Sequence, residues 1–205
     1  MTCKLIDADI VHELLTMKDT VDACEIAFRD WGNGEVVCPT KVTLELGEDA
    51  EWPPYKNGLN GMPAYIHSMK SAGIKCVTGS LNNPSWGLPY IIALISLFDP
   101  ETGVFRCVMD GEQITNYRTG AQAAVAAKYM VNKKKIKLGI SGAGAQGRTQ
   151  LLAFAEVFEI EEAKVYDISS EALDKYVAEM APLTKINITP VTSPEAIFDG
   201  TDVIV

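Results

Sequence analysis

From Ile136 onward the chain alternates apolar runs with amphipathic stretches: "IKLGIS", a helical pattern from about Ala145 to Phe158, "AKVYDI", a helical pattern over 170–181, a run over 186–191, a short helix and a last run over 202–205. Successive strand–helix steps of this kind build a parallel sheet, because a parallel neighbour is reached only by a crossover, and a helix is the usual one. Glycines follow the first of these strands. In "GISGAGAQGR", Gly142, Gly144 and Gly147 have G-x-G-x-x-G spacing between a strand and a helix. There the first glycine permits the turn, the second lets a pyrophosphate approach the backbone, and the third lets helix and strand pack closely. The N–H groups at the start of the helix suit an anion. Asp167, in "VYDIS", stands twenty residues after Gly147 at the end of the next strand. A carboxylate there accepts hydrogen bonds from ribose hydroxyls and repels a 2′-phosphate, which favours NAD over NADP. The plainer reading is an empty glycine turn with Asp167 as a helix N-cap.

The first 135 residues have a different rhythm. "TMKDTVDACEIAFRDWGNG" reads as an amphipathic helix with Thr16 and Asp19 as a capping pair, Val21, Cys24, Phe28 and Trp31 on one face, and Gly32 or Gly34 as the stop. "TKVTLEL", "AYIHSM", "GIKCVTGS", "LPYIIALISLFD" and "VFRCVMDG" read as strands. "EWPPYKNGLNGMP" reads as an ordered loop, since a free linker has no need of Trp52, Tyr55 and Met62. An alanine-rich helix is expected from Thr115 as N-cap. The expected architecture is thus α/β: an α+β domain over 1–135, then a Rossmann-type doubly wound parallel sheet over 136–205.

A net charge of −9 argues against a nucleic-acid partner. Lys133, Lys134, Lys135 and Lys137 form the one basic cluster and read as a solvated loop. The longest apolar run, "YIIALISLF", is too short to cross a bilayer, so no membrane span is expected. Five cysteines, odd in number and widely spaced, suggest neither a disulfide framework nor a zinc site, and fit a reducing cytoplasm. His12 and His67 show no metal-ligand spacing.

Basic residues stand out in so acidic a chain. Lys75 lies inside the apolar run "AGIKCV", where a charge needs solvent or a partner. Arg118 falls in the first turn of a helix starting at Thr115, where a cation opposes the helix dipole unless an anion binds beside it. A carboxylate substrate or a cofactor pyrophosphate would be such an anion, and arginine can grip a carboxylate with two hydrogen bonds. Equally, Lys75 could snorkel from an edge and Arg118 could pair with Asp110 or Glu112.

The segments "GMPAYI", "AGIKCVTGSLNNPSWGLPYI", "LFDPETGVFRCVMDGEQITNYRTGAQAAVAAKYM" and "GISGAGAQGR" resemble the ornithine cyclodeaminase/mu-crystallin family, and with the N-terminal stretch the resemblance covers essentially the whole chain. It implies an N-terminal substrate and dimerisation domain, hence a homodimer, then a Rossmann domain, with hydride exchange between NAD(P) and Cα of an amino or imino acid. It places carboxylate-binding cations at Lys75, Arg118 and Lys41, the last lacking the planar fork of the arginine found in the ornithine enzymes. Cofactor contacts fall on Ala145 and Gln146 beside the motif glycines, on Asp167, on Arg118 and on Tyr90, where the ornithine enzymes carry threonine.

Asn60 stands where the ornithine enzymes carry a glutamate, and an amide cannot take up a proton as a carboxylate does. The implied activity is therefore conversion of ornithine to proline and ammonia or a close relative of it, with a ketimine reductase or alanine-type dehydrogenase as the alternative. A non-catalytic, crystallin-like NAD(P) binder is an alternative of another class. The family's catalytic aspartate falls beyond Val205, where the chain stops within an expected strand. The expectation is a fragment of a longer protein, inactive by itself.

Overall fold

The computed structural model describes residues 3–47 and 57–205. Its elements are β1 (Lys4–Ile6), α1 (Ala8–Leu14), α2 (Met17–Gly32), β2 (Val36–Val37), β3 (Val42–Leu46), β4 (Asn57–Ile66), β5 (Ser71–Gly79), β6 (Ile91–Phe98), β7 (Phe105–Asp110), α3 (Glu112–Met130), β8 (Lys135–Ser141), α4 (Ala145–Val157), β9 (Glu159–Tyr166), α5 (Ser170–Thr184), β10 (Ile188–Pro190) and β11 (Val203–Ile204). Short 3₁₀ turns lie at Asn83–Trp86 and Glu195–Ile197. The chain divides into two compact units. One holds the residues up to Leu15 with Ile26–Thr115, and the other holds Thr16–Glu25 with Asn116–Val205. The division precedes the 135/136 boundary expected from the sequence, because Ala121, Ala124 and Val125 of α3 belong to the same buried cluster as β8.

The first unit is a seven-stranded sheet of order β1-β7-β6-β5-β4-β2, with β3 also pairing β4. β4 through β7 form an antiparallel meander, and β1 lies parallel to β7. Residues directly opposite in such a ladder share a face. Asn60, Val77 and Ala93 line up on one face, and Met62, Lys75 and Ile95 are the next row on the same side. Val77, Ala93 and Cys107 are buried on this inner face. The other face carries Leu5, Val42, Leu44, Leu59, Ile92 and Leu94, all exposed.

Asn57–Pro63, expected to belong to a loop, is instead the first part of β4, paired with both β3 and β5. Asn, Gly and Pro signal turns locally, but strands on both sides override that preference. The preceding part of the expected loop, with Trp52 and Tyr55, lies outside the described residues. Thr16 and Asp19 cap α2 as expected: the Asp19 N–H donates to Thr16 Oγ1 at 3.1 Å. β1 and α1 carry too few residues to show a period, although Asp7 caps α1 by accepting from the Ile10 N–H.

The second unit is a parallel sheet of order β10-β9-β8-β11. The strands lie third, second, first, fourth, as a right-handed doubly wound sheet requires. Its core joins Ile136, Leu138 and Ile140 of β8 to Val165, Leu151, Phe154, Tyr176 and Met180. α3 and α4 touch backbone to backbone, since a Cβ on Gly120 would lie 2.5 Å from the Thr149 carbonyl oxygen. Of the lysine cluster, Lys135 and Lys137 lie in β8 rather than in a loop and pair with Glu159 and Glu161, while Lys133 pairs with Asp202. The alternating carboxylates of β9 make a charged edge there, which the run of lysines complements.

Candidate functional site

The tight bend after Ser141 is built by its glycines. Gly142 has φ +107°, a conformation that residues with a Cβ avoid. A Cβ on Gly147 would sit 2.1 Å from the Gly142 carbonyl oxygen, so only glycine lets the turn fold back on the helix. A Cβ on Gly144 would meet nothing within 4 Å. This open glycine is the N-cap of α4 and offers no side-chain cap. The N–H groups of Gly144, Ala145 and Gln146 have no acceptor among the described residues. Such a row at a helix start is an anion cradle.

Asp167 stands just past β9. One oxygen accepts from the Ala143 N–H at 2.7 Å and the other from the Ser169 N–H at 2.9 Å. These bonds, that from Ser169 first, hold its carboxyl below the usual carboxylate range. Asp167 is thus not the N-cap of α5; Ser169 is, accepting from the Ala172 N–H. The structure brings Gly142, Gly144, Ala145, Gln146, Gly147 and Asp167 into one locality. Gln146 is fixed from α3, its Nε2 donating to Asn116 Oδ1 at 3.2 Å.

Arg118 is reached differently from the sequence reading. α3 begins at Glu112, with the Asp110 carboxylate accepting the Glu112 N–H, so Thr115 is not the N-cap and Arg118 lies in the second turn. Opposition to the helix dipole therefore no longer argues for an anion, but burial does. Burial pushes the Arg118 pKa down from its ordinary value. Among the described residues its buried Nε–H has no hydrogen-bond partner, and Nη1 reaches Gln122 Oε1 at 3.4 Å. Among the described residues neither Asp110 nor Glu112 nor any other carboxylate forms an ion pair with it. A guanidinium keeps its charge at any ordinary pH, so among the described residues this one has no anionic partner and its Nε–H has no acceptor.

In the first unit Lys75 points to the inner face of the sheet, its Nζ donating to Thr115 Oγ1 at 3.3 Å. It is half-buried in the middle of β5, which excludes an edge position. A cavity of about 470 Å³ in this unit is lined by Thr43, Glu45, Asn57, Asn60, Leu81 and Tyr90 among others. Asn60 is one row from Lys75 on the same face, and its Oδ1 accepts from Thr43 Oγ1 at 2.9 Å. Tyr90 is exposed at the cavity wall; Lys41 is exposed just before β3 and does not line the cavity. Asn116 carries no signal of its own in the sequence and Thr115 reads there only as an N-cap, yet they fix Gln146 and Lys75, partners far away in the chain.

The ornithine cyclodeaminase/mu-crystallin family matches residues 4–205. An alanine dehydrogenase of Archaeoglobus fulgidus is 38% identical over 178 residues, which are 87% of this chain and 52% of that protein. A solved Thermococcus litoralis Δ1-pyrroline-2-carboxylate reductase, in complex with NADH and L-proline, superposes with a TM-score of 0.88 at 34% identity, covering 98% of this chain and 60% of its own. An archaeal alanine dehydrogenase dimer with bound NAD has a TM-score of 0.85 at 34% identity, covering 96% and 58%. The chain spans about half the length of the curated relatives it matches. With the family's span, these identities and the Rossmann-type sheet in agreement, the chain belongs to the ornithine cyclodeaminase/mu-crystallin family.

Proposed function

We propose that the protein is an NAD-dependent enzyme acting at Cα of a small amino or imino acid. The observation that carries this reading is the unpartnered N–H row of Gly144, Ala145 and Gln146 beside the fixed Asp167 carboxylate. The residues fit a dinucleotide: Gly144 leaves room for a diphosphate, the helix start supplies donors, and Asp167 can accept from ribose hydroxyls while repelling a 2′-phosphate. When bound, the nicotinamide supplies a hydride acceptor or donor, and the chain's residues supply binding and orientation. Arg118, with its unsatisfied buried Nε–H, and Lys75 each offer a cation to the substrate carboxylate. Such anchoring orients Cα and removes rotational freedom before reaction. Lys41 and Tyr90 have a weaker claim, both being exposed.

Asn60 favours a reductase or dehydrogenase over ornithine cyclisation, since the cavity wall offers an amide where a proton acceptor would be needed. None of the three relatives named above is described as a cyclodeaminase. The unit holding Ile26–Thr115 is proposed as the substrate and dimerisation part and the unit holding Asn116–Val205 as the dinucleotide part. The exposed row of Leu5, Val42, Leu44, Leu59, Ile92 and Leu94 supports a homodimer, because a single chain seldom leaves so continuous an apolar face in water. No helix among the described residues is long and apolar enough to cross a membrane, and the five free cysteines support a cytoplasmic site.

The protein incubated with NAD+ and a panel of amino acids tests the reading. Net NADH formation from one of them is expected. Proline and ammonia from ornithine without net NADH means a cyclodeaminase instead, and nucleotide binding with no turnover means a binding protein.

A further inference from the structure

Arg148 closes the glycine stretch, one residue beyond the motif, and takes no part in the reading given above. Its guanidinium turns back on the loop. Nη1 donates to the carbonyl oxygens of Ala143 and Gly144. Nε and Nη2 both donate to Glu179 of α5, at 2.9 and 2.8 Å. The same guanidinium lies 5.3 Å from the ring centre of Tyr176, which is completely buried. The Tyr176 hydroxyl donates to the Gly147 carbonyl at 3.0 Å. Burial raises the Tyr176 pKa, so the hydroxyl stays a donor throughout the ordinary pH range.

In a planar trans peptide the C=O of one residue and the N–H of the next point in opposite directions. Holding the Ala143 carbonyl toward Arg148 therefore turns the Gly144 N–H away from it; the Gly144 carbonyl, which accepts both the Arg148 main-chain N–H and the guanidinium, turns the Ala145 N–H away in the same manner. These are N–H groups without an acceptor of their own. The Arg148 charge is balanced by Glu179, so its effect comes through the shape of the loop more than through its net field. A glycine-rich loop left to itself would sample many shapes, and fixing one would then fall to the ligand.

We propose that Arg148, seated by Glu179 and Tyr176, is a positioning residue that holds the loop's N–H groups ready for a diphosphate. The proposal rests on the dinucleotide reading above and adds the groups that give that site its shape. The test is titration calorimetry of the protein with NADH and with ADP-ribose, and ligand NMR with adenosine, which has no phosphate. Arg148→Ala is expected to weaken NADH and ADP-ribose about tenfold or more, the worth of one hydrogen bond to a charged group, and to leave adenosine unchanged. Arg148→Lys, which reaches a carbonyl but lacks the fork, is expected to restore part of the loss. Glu179→Gln is expected to weaken the same ligands by a smaller factor and decides the matter if Arg148→Ala does not fold. Unchanged affinity for NADH in these variants, or an equal loss for adenosine, overturns the proposal while leaving dinucleotide binding standing. A wild-type protein that binds neither NADH nor ADP-ribose removes the dinucleotide reading and this one with it.

Discussion

Gly147 faces the carbonyl of Gly142 so closely that a Cβ at position 147 would come within 2.1 Å of its oxygen, whereas a Cβ at Gly144 would meet nothing within 4 Å. The two motif glycines therefore serve different masters. Gly147→Ala must displace backbone and is expected to lower stability by roughly 1–3 kcal/mol in urea unfolding. Gly144→Ala, at an ordinary φ of −83°, is expected to leave stability within about 0.5 kcal/mol while sharply weakening NADH. Undiminished NADH affinity in a folded Gly144→Ala protein would mean that no phosphate approaches that backbone.

Asp167 gives the protein an acid-sensitive joint. Its folded pKa lies below the unfolded value, because the carboxylate accepts from the Ser169 and Ala143 N–H groups. The stabilisation is fully present above the ordinary aspartate value of about 3.9 and is lost as pH falls through the depressed folded value. Asp167→Asn binds the same neighbours less well at any pH and is expected to show a flatter stability profile between neutrality and acid. Parallel acid limbs for the two proteins in pH-dependent urea titrations would count against this role.

Variants of Lys75 and Arg118 test the proposed division between substrate and cofactor. Lys75→Met is expected to raise the amino-acid KM about tenfold or more with little change in the Kd of NADH, since removing a charged hydrogen bond to the carboxylate affects only that ligand. Arg118→Met is expected to weaken both, since its guanidinium forms no ion pair among the described residues and its Nη1, on the exposed side, can meet either anion. Steady-state kinetics alongside calorimetry reads the split, and an unaltered KM in both variants would dismiss the carboxylate grip.

Leu94 is 55% exposed in the middle of the outer sheet face, between Ile92 and the end of β6. Leu94→Asp cannot disturb a core there, so on the proposed homodimer the wild type is expected to sediment as a dimer and the variant as a folded monomer of half that mass with nearly wild-type secondary structure in sedimentation velocity. A Leu94→Asp protein still sedimenting as a dimer would place the interface elsewhere.

The second unit was legible because each of its signals is local: a strand, a turn whose glycines are needed within a few residues, and a helix. The first unit was less so. "YIIALISLF" is apolar on both faces of β6, which hides its period, and only pairing shows that Ala93 is buried while Leu94 is exposed. Asn57–Pro63 carries turn residues and is nonetheless held as a strand by β3 and β5. The start of α3 was placed too late because the Asp110 cap accepts from Glu112 over a glycine, a pattern that resembles an ordinary turn. Lys75 and Arg118 were visible as misplaced charges, but the reason changed for Arg118, from the helix dipole to burial. Arg148 could have been suspected only from its place after the motif; its partners Tyr176 and Glu179 lie a whole crossover away.

That distance bears on any attempt to graft this segment into another scaffold. The letters GAGAQGR would travel with Arg148, but the tyrosine and glutamate that seat its guanidinium would stay behind on α5. A transplant would need the following strand and helix as well, making the smallest portable piece a whole βαβα module rather than a heptapeptide.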